Sequence, residues 1–149
     1  MSNPVQDELA IRDLAARFTD AVNRRDPEAV GRTFVDDGEW VVPGLPPSVG
    51  PHAAEKQIAG LLENFTFLVQ LLHSGQVDVD ADVATASWYL TENASDGSTT
   101  ALTFVGVYRD ELRRGDDGWR FTRREFAFLR REKSELQGKC YAHPAAVGA

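Results

Sequence analysis

A single cysteine, Cys140, stands among the 149 residues. An internal disulfide and a cysteine-cluster metal site are thereby excluded. Histidine is nearly as scarce. His52, His73 and His143 are scattered, with no carboxylate at ligand spacing, so no metal is expected. No apolar run approaches the roughly 18 to 20 residues of a membrane helix, and no membrane partner is expected. The glycines form neither a G-x-G-x-x-G turn nor a phosphate loop. G-x-S-x-G is also missing, and Ser74 in "HSG" has no nucleophile-elbow context. No cofactor is expected. The opening "MSNPVQDELAIRD" lacks a basic end followed by an apolar block. It reads as no secretory signal and, with one cysteine, as a cytoplasmic, reducing location.

Positive charge is in the minority: 16 basic against 23 acidic residues, net −7. That opposes a phosphate-binding surface as the main business of the chain. The charge is uneven, with ten basic and seven acidic residues between Arg109 and Lys139 and a net −10 elsewhere. "RRGDDGWRFTRRE" reads as a solvated strand face with a charged hairpin. A nucleic-acid site would interleave exposed aromatics, whereas Trp119, Phe121, Phe126 and Phe128 read as core, so no nucleic-acid partner is expected.

What is present is an ordinary globular composition, 42% hydrophobic and 26% charged. The length suits one domain over 1–149, with a core at about 7–130 and a C-terminal tail over 131–149. Ile11, Leu14, Phe18 and Val22 recur at helical spacing between Asp7 and Arg25. Asp26 caps and Pro27 opens a second helix, read through Ala29, Val30 and Phe34. "EWVV" (Glu39 to Val42) is a short strand, and "PGLPPSVGP" a loop or open hairpin. A third helix is predicted over 53–64. From there the period becomes two, with strands over about 67–80, 84–93, 100–112 and 119–130 and turns at "DADV", "ASDGS" and "RGDDG". Helices followed by an antiparallel meander read as an α+β fold.

The segments "IRDLAARFTDAVNRRDPEAVGRTFVDDGEWVV" and "GVYRDELRRGDDGWRFTRREF" resemble the SnoaL-like group of the NTF2-like superfamily, across about residues 7 to 130. The group includes scytalone dehydratase and polyketide cyclase-like proteins. The resemblance implies a cone: three N-terminal helices packed in the concave face of a curved, mainly antiparallel sheet, around an apolar pocket. Such pockets serve cyclases, dehydratases, dehydrohalogenases and isomerases, and also non-catalytic binders and the small subunits of ring-hydroxylating dioxygenases. The dehydratase and dehydrohalogenase members use an aspartate and a histidine as a proton-transfer dyad. Alignment on Trp40 puts the family aspartate at Asn23, and alignment on "VDVDAD" puts the histidine at Gln70. Amides bind an oxygen but do not take a proton near neutral pH. A shift of one helical turn would instead bring in Asp20 or Asp26.

His73 depends on strand parity. The family puts Gln70 at the pocket while Val77 and Val79 face the core, and positions 70 and 77 differ in parity. An extra residue must intervene, and "HSG" is where Gly75 would tolerate a bulge. If it falls before His73, the ring enters the pocket; if after, it faces the opposite side. Glu92 shares a strand face with Ala86, Trp88 and Leu90, and is either a pocket carboxyl with a raised pKa or a solvated strand end. Trp40 matches a family pocket position. Tyr108 and Asp110 belong to the family strand pattern, and Arg109 and Arg124 read as surface strand arginines.

The expected function is cofactor-independent proton transfer in a lyase, isomerase or cyclase step on a small hydrophobic ligand, aromatic, polyketide or terpenoid. Glu92 or His73 moves the proton, Asn23 and Gln70 hold an oxygen, and Trp40, Tyr108 and Trp88 line the ligand. The alternative is a binding or scaffold protein of the same fold. "LVQLL", apolar to both sides, and the resemblance predict a homodimer or trimer through the sheet.

Overall fold

Asn3 accepts a hydrogen bond from Val5 N, and Pro4 occupies the first turn of α1 (Pro4–Asn23). The computed structural model describes residues 3–148. Along α1, Ile11, Ala15, Phe18 and Val22 form one buried stripe, as the 3.6-residue period requires. Asp26 accepts from Ala29 N and starts α2 (Pro27–Gly31). This helix is shorter than the spacing of Val30 and Phe34 predicts. Gly31 lies so close to the Pro51 carbonyl that a Cβ would stand 2.5 Å from its oxygen. Phe34 therefore opens β1 (Phe34–Val41), which is longer than the expected "EWVV".

The proline-rich loop contributes a two-residue strand, β2 (Ser48–Val49), paired with Glu39 and Trp40. After α3 (Pro51–Glu63) come four long strands: β3 (Phe67–Asp80), β4 (Val83–Ser95), β5 (Thr100–Gly115) and β6 (Gly118–Glu135). They form one sheet in the order β2-β1-β6-β5-β4-β3, with β1 parallel to β6 and the other pairs antiparallel. β6 continues past the expected end at Arg130 because Thr100 to Phe104 still pair with Arg131 to Glu135. The α+β class and the helices-then-meander order are thus as the sequence predicts.

Bulges curve this sheet. Register slips between Leu72 and Gly75 on β3, and twice along β5 and β6. Each extra residue bends its strand and raises local twist. α1 packs against β3 and β6, and α3 against β1. Phe18 meets Phe34, Trp40, Tyr108 and Phe121 edge to face at 5.6–6.2 Å between centroids. Such pairs contribute about 0.5–1.5 kcal/mol each beyond area burial. At the other end of α1, buried Asp7 accepts from Trp119 Nε1 at 3.0 Å and from both terminal nitrogens of Arg114, tying the helix start to the β5–β6 hairpin.

Candidate functional site

Between the C-terminal half of α1, α3, the loop after β1 and the middle of the sheet lies a cavity of about 300 Å³. Its wall is built by alternation. Gln70, Glu92, Phe104, Tyr108, Phe126 and Phe128 come from the strands, Phe18 and Val22 from the α1 stripe, and Ile58 and Leu61 from α3. Trp40 adds its indole from β1. Seven of the seventeen lining residues are aromatic, and none is Lys, Arg or His. Glu92 is the one carboxyl among them.

Gln70 and Glu92 stand directly opposite each other on β3 and β4. Gln70 Nε2 donates to Glu92 Oε1 at 3.0 Å, and Thr19 Oγ1 donates to Gln70 Oε1 at 3.1 Å. With Thr19 on the oxygen end, the amide presents its NH₂ to Glu92. Burial in apolar surroundings pushes the Glu92 carboxyl above its usual 4.5, with the Gln70 hydrogen bond pulling the other way. A carboxyl moved in that direction keeps its proton to higher pH than an exposed glutamate does. Burial likewise raises the Tyr108 hydroxyl, opposed by the nearby Arg124 cation.

The structure brings Gln70, Glu92, Trp40 and Tyr108 together around this cavity and takes three other candidates elsewhere. Leu72 pairs with Leu90 and Gly75 with Trp88, so "HSG" carries the extra residue. His73 lies within that bulge, exposed, with Nε2 2.8 Å from Thr91 Oγ1. By alternation Thr91 faces away from Leu90 and Glu92, so His73 is on the side opposite the cavity. Asn23 is not among the cavity-lining residues, and its amide bonds both backbone groups of Gln70, Oδ1 accepting from N at 2.7 Å and Nδ2 donating to O at 2.8 Å. Trp88 is buried in the core beside the cavity rather than lining it, and its Nε1 donates to Asp110 at 2.8 Å.

Asp20 pairs with Arg24 at the surface and Asp26 caps α2, which accounts for both outside the cavity. Gly75 is required where it is. A Cβ there would stand 2.2 Å from the Trp88 ring and 2.4 Å from the Ser87 carbonyl oxygen.

Sequence reasoning missed two further groups. Thr19 sits one turn before Asn23, and its hydroxyl alone gives no signal of a role. Arg124, read as a surface residue, is fully buried. Its Nε donates to Asp110 at 3.0 Å and its guanidinium lies 3.9–4.3 Å from the ring centroids of Tyr108, Phe18 and Phe121. Arg109 is the surface member of the two, paired with Glu125. Asp110 thus serves Trp88 and Arg124 rather than Tyr108.

The sequence profile of the SnoaL-like domain family matches residues 3–125. Among solved structures, an NTF2-like protein with a cystatin-like fold from Novosphingobium aromaticivorans is 30% identical, with 84% of this chain and 83% of that one covered at a TM-score of 0.73. A protein provisionally named an aromatic ring hydroxylase, from the same organism, is 28% identical over 91% and 96% at 0.80. The hexachlorocyclohexane dehydrochlorinase LinA-type3 from Novosphingobium barchaimii shares the fold, at 20% identity over 95% and 97% and a TM-score of 0.81. Among curated proteins, none matches this sequence.

Proposed function

Because the chain belongs to the SnoaL-like domain family, we propose that it is a cofactor-independent lyase, isomerase or cyclase that moves a proton on a small hydrophobic molecule, with Glu92 as the group that carries it. The observation that supports this reading is the setting of Glu92. It is the one carboxyl among the cavity-lining residues, its pKa is raised by burial, and the Thr19–Gln70 chain orients it. Gln70 holds Oε1 and can only donate to it, so the exchangeable proton resides on Oε2. In its ionised form Glu92 takes a proton from an activated carbon; in its acid form it returns that proton to a neighbouring position or to a leaving group. Aromatic walls keep water from the intermediate and hold a flat ring in place. In the same reading the helices close the curved sheet into a cone, the chain forms one domain ending in a short tail, and copies associate through the sheet.

Solvent-deuterium incorporation into a panel of small cyclic ketones tests this. Wild-type protein is expected to catalyse α-hydrogen exchange, and Glu92→Gln to lose it by about 10²-fold or more. Equal rates in the two proteins would remove Glu92 from the mechanism.

A second reading, a binder of the same fold, is favoured by one observation: the amides at the dyad positions, Asn23 and Gln70, are both engaged in holding structure. It predicts ligand affinity without turnover at any pH. A small-subunit role beside a ring-hydroxylating dioxygenase predicts copurification with a large iron-containing chain.

A further inference from the structure

Past Phe128, β6 gains an extra residue at Leu129: Gly106 pairs with Phe128 and Val105 with Arg130. The slip brings Phe128 and Arg131 to the same concave face although they are three positions apart. Arg131 pairs with Phe104, Phe104 with Glu92, and Glu92 with Gln70, so the four stand in one row across β6, β5, β4 and β3. The Arg131 guanidinium lies over the rings of Phe128 and Phe104, 4.8 and 6.0 Å from their centroids. Both rings line the cavity and are half-buried, whereas Gln70 and Tyr108 are buried deeper in it. Arg131 itself is exposed, which puts it at the rim of the cavity. On the same two strands Arg109, Arg123, Arg124 and Arg130 each hold a carboxylate, and Arg130 takes Glu132, the neighbour of Arg131. Arg131 holds none among the described residues. Stacking on two aromatic faces fixes its fork and leaves its N–H donors unused. Arg120, also without a carboxylate among the described residues, lies by the β5–β6 turn and away from the cavity.

We propose that Arg131 binds a carboxylate, so that the cavity takes a flat apolar acid with its ring body on Phe104 and Phe128 and its charge on the guanidinium at the rim. A planar fork of N–H donors matches the two oxygens of a carboxylate. The row sets the length of such a ligand. Arg131 and Glu92 are two strands apart, about 10 Å between backbones, a span that suits a fused bicyclic acid. The row also sets the direction, because the reverse pose would press the ligand carboxylate against the Glu92 carboxyl. No cavity-lining residue is Lys, Arg or His, so the rim supplies the charge that selects an acid over its neutral analogue. Binding at Arg131 stands without any chemistry at Glu92. Only the placing of a reactive C–H at the far end of the ligand rests on the proton-transfer reading.

The test compares 2-naphthoate with 2-naphthamide, one bicycle with and without the charge, by calorimetry near neutral pH. Wild type is expected to bind the acid about tenfold more tightly than the amide. Arg131→Gln should weaken the acid about tenfold and change the amide by less than about twofold. Added salt should weaken the acid in wild type but not in Arg131→Gln. An amide bound as tightly as the acid by wild type, equal weakening of both probes in the variant, a salt effect that survives there, or no binding of 2-naphthoate at millimolar concentration overturns the proposal. The wild-type preference needs no variant and decides alone if Arg131→Gln does not fold. Nuclear Overhauser contacts should join H6, the far end of the bicycle, to the Gln70 amide protons; contacts from H6 to Arg131 overturn the stated direction. An acid preference that depends on Arg131, in a wild type that exchanges no α-hydrogen of the cyclic ketones, would defeat the Glu92 reading and support the Arg131 site. Glu92-dependent exchange without an acid preference would do the reverse.

Discussion

Gln70 and Glu92 face each other across β3 and β4, and the amide of the first donates to the carboxyl of the second at 3.0 Å. The amide takes no proton itself, but it fixes one oxygen of the one carboxyl among the described cavity-lining residues and makes no bond to the other.

Glu92 should make stability depend on pH. Its folded pKa is raised above the usual 4.5 because burial penalises the charged form. Below the unfolded value both states are protonated and its contribution is fully present. As pH rises, the unfolded chain ionises first, so this contribution is lost progressively until the folded pKa is passed. Urea titrations between pH 4 and 8 should show wild type losing stability relative to Glu92→Gln with rising pH. A gap that stays constant, or opens the other way, contradicts the raised pKa.

Asn23→Ala should act on stability rather than on the ligand. It removes two hydrogen bonds to the Gln70 backbone and should cost about 1–3 kcal/mol in urea unfolding. Affinity for 2-naphthoate should stay within about twofold. A large loss of affinity at unchanged stability would return Asn23 to the site.

The buried Arg124–Asp110 pair should show strong coupling. Arg124→Met strands a buried carboxylate and should cost about 3–5 kcal/mol, whereas adding Asp110→Leu should recover part of that loss. A double-mutant cycle in chemical denaturation measures this, and additive costs would contradict the pairing.

Gly75→Ala places a Cβ against the Trp88 ring and the Ser87 carbonyl. A cost of about 1–3 kcal/mol is expected from forced repacking. Because the bulge brings Gln70 and Val77 to one face, the variant should also alter the binding of 2-naphthoate, read by calorimetry.

Much of this architecture is legible in the residues. The α1 stripe, the Asp26-Pro27 break and the three turns mark element boundaries by period and turn chemistry. The parity conflict between Gln70 and Val77 points to the bulge at "HSG", because Gly75 is the residue that admits one. Whether His73 enters the cavity depends on the side chain's direction inside the bulge, and no local pattern encodes that. Phe34 falls at helical spacing from Val30, so periodicity alone extends α2 into β1. Arg124 was hidden by a second bulge. Phe121 pairs with Leu112 and Arg123 with Glu111, leaving Thr122 as the extra residue. Arg124 thus shares the inward face of Phe121 despite odd spacing, and no glycine marks the place. Cavity wall and solid core are equally indistinct in sequence, since Phe18 and Val22 satisfy either.

The most direct test of the central claim is a ¹³C NMR titration of the Glu92 side-chain carboxyl in the ligand-free protein, assigned by comparison with Glu92→Gln. A midpoint clearly above the usual value of about 4.3 for glutamate, moving higher still in Gln70→Leu, is the predicted result. A midpoint at or below that value would leave the cavity without a group poised to carry a proton, and would contradict the account.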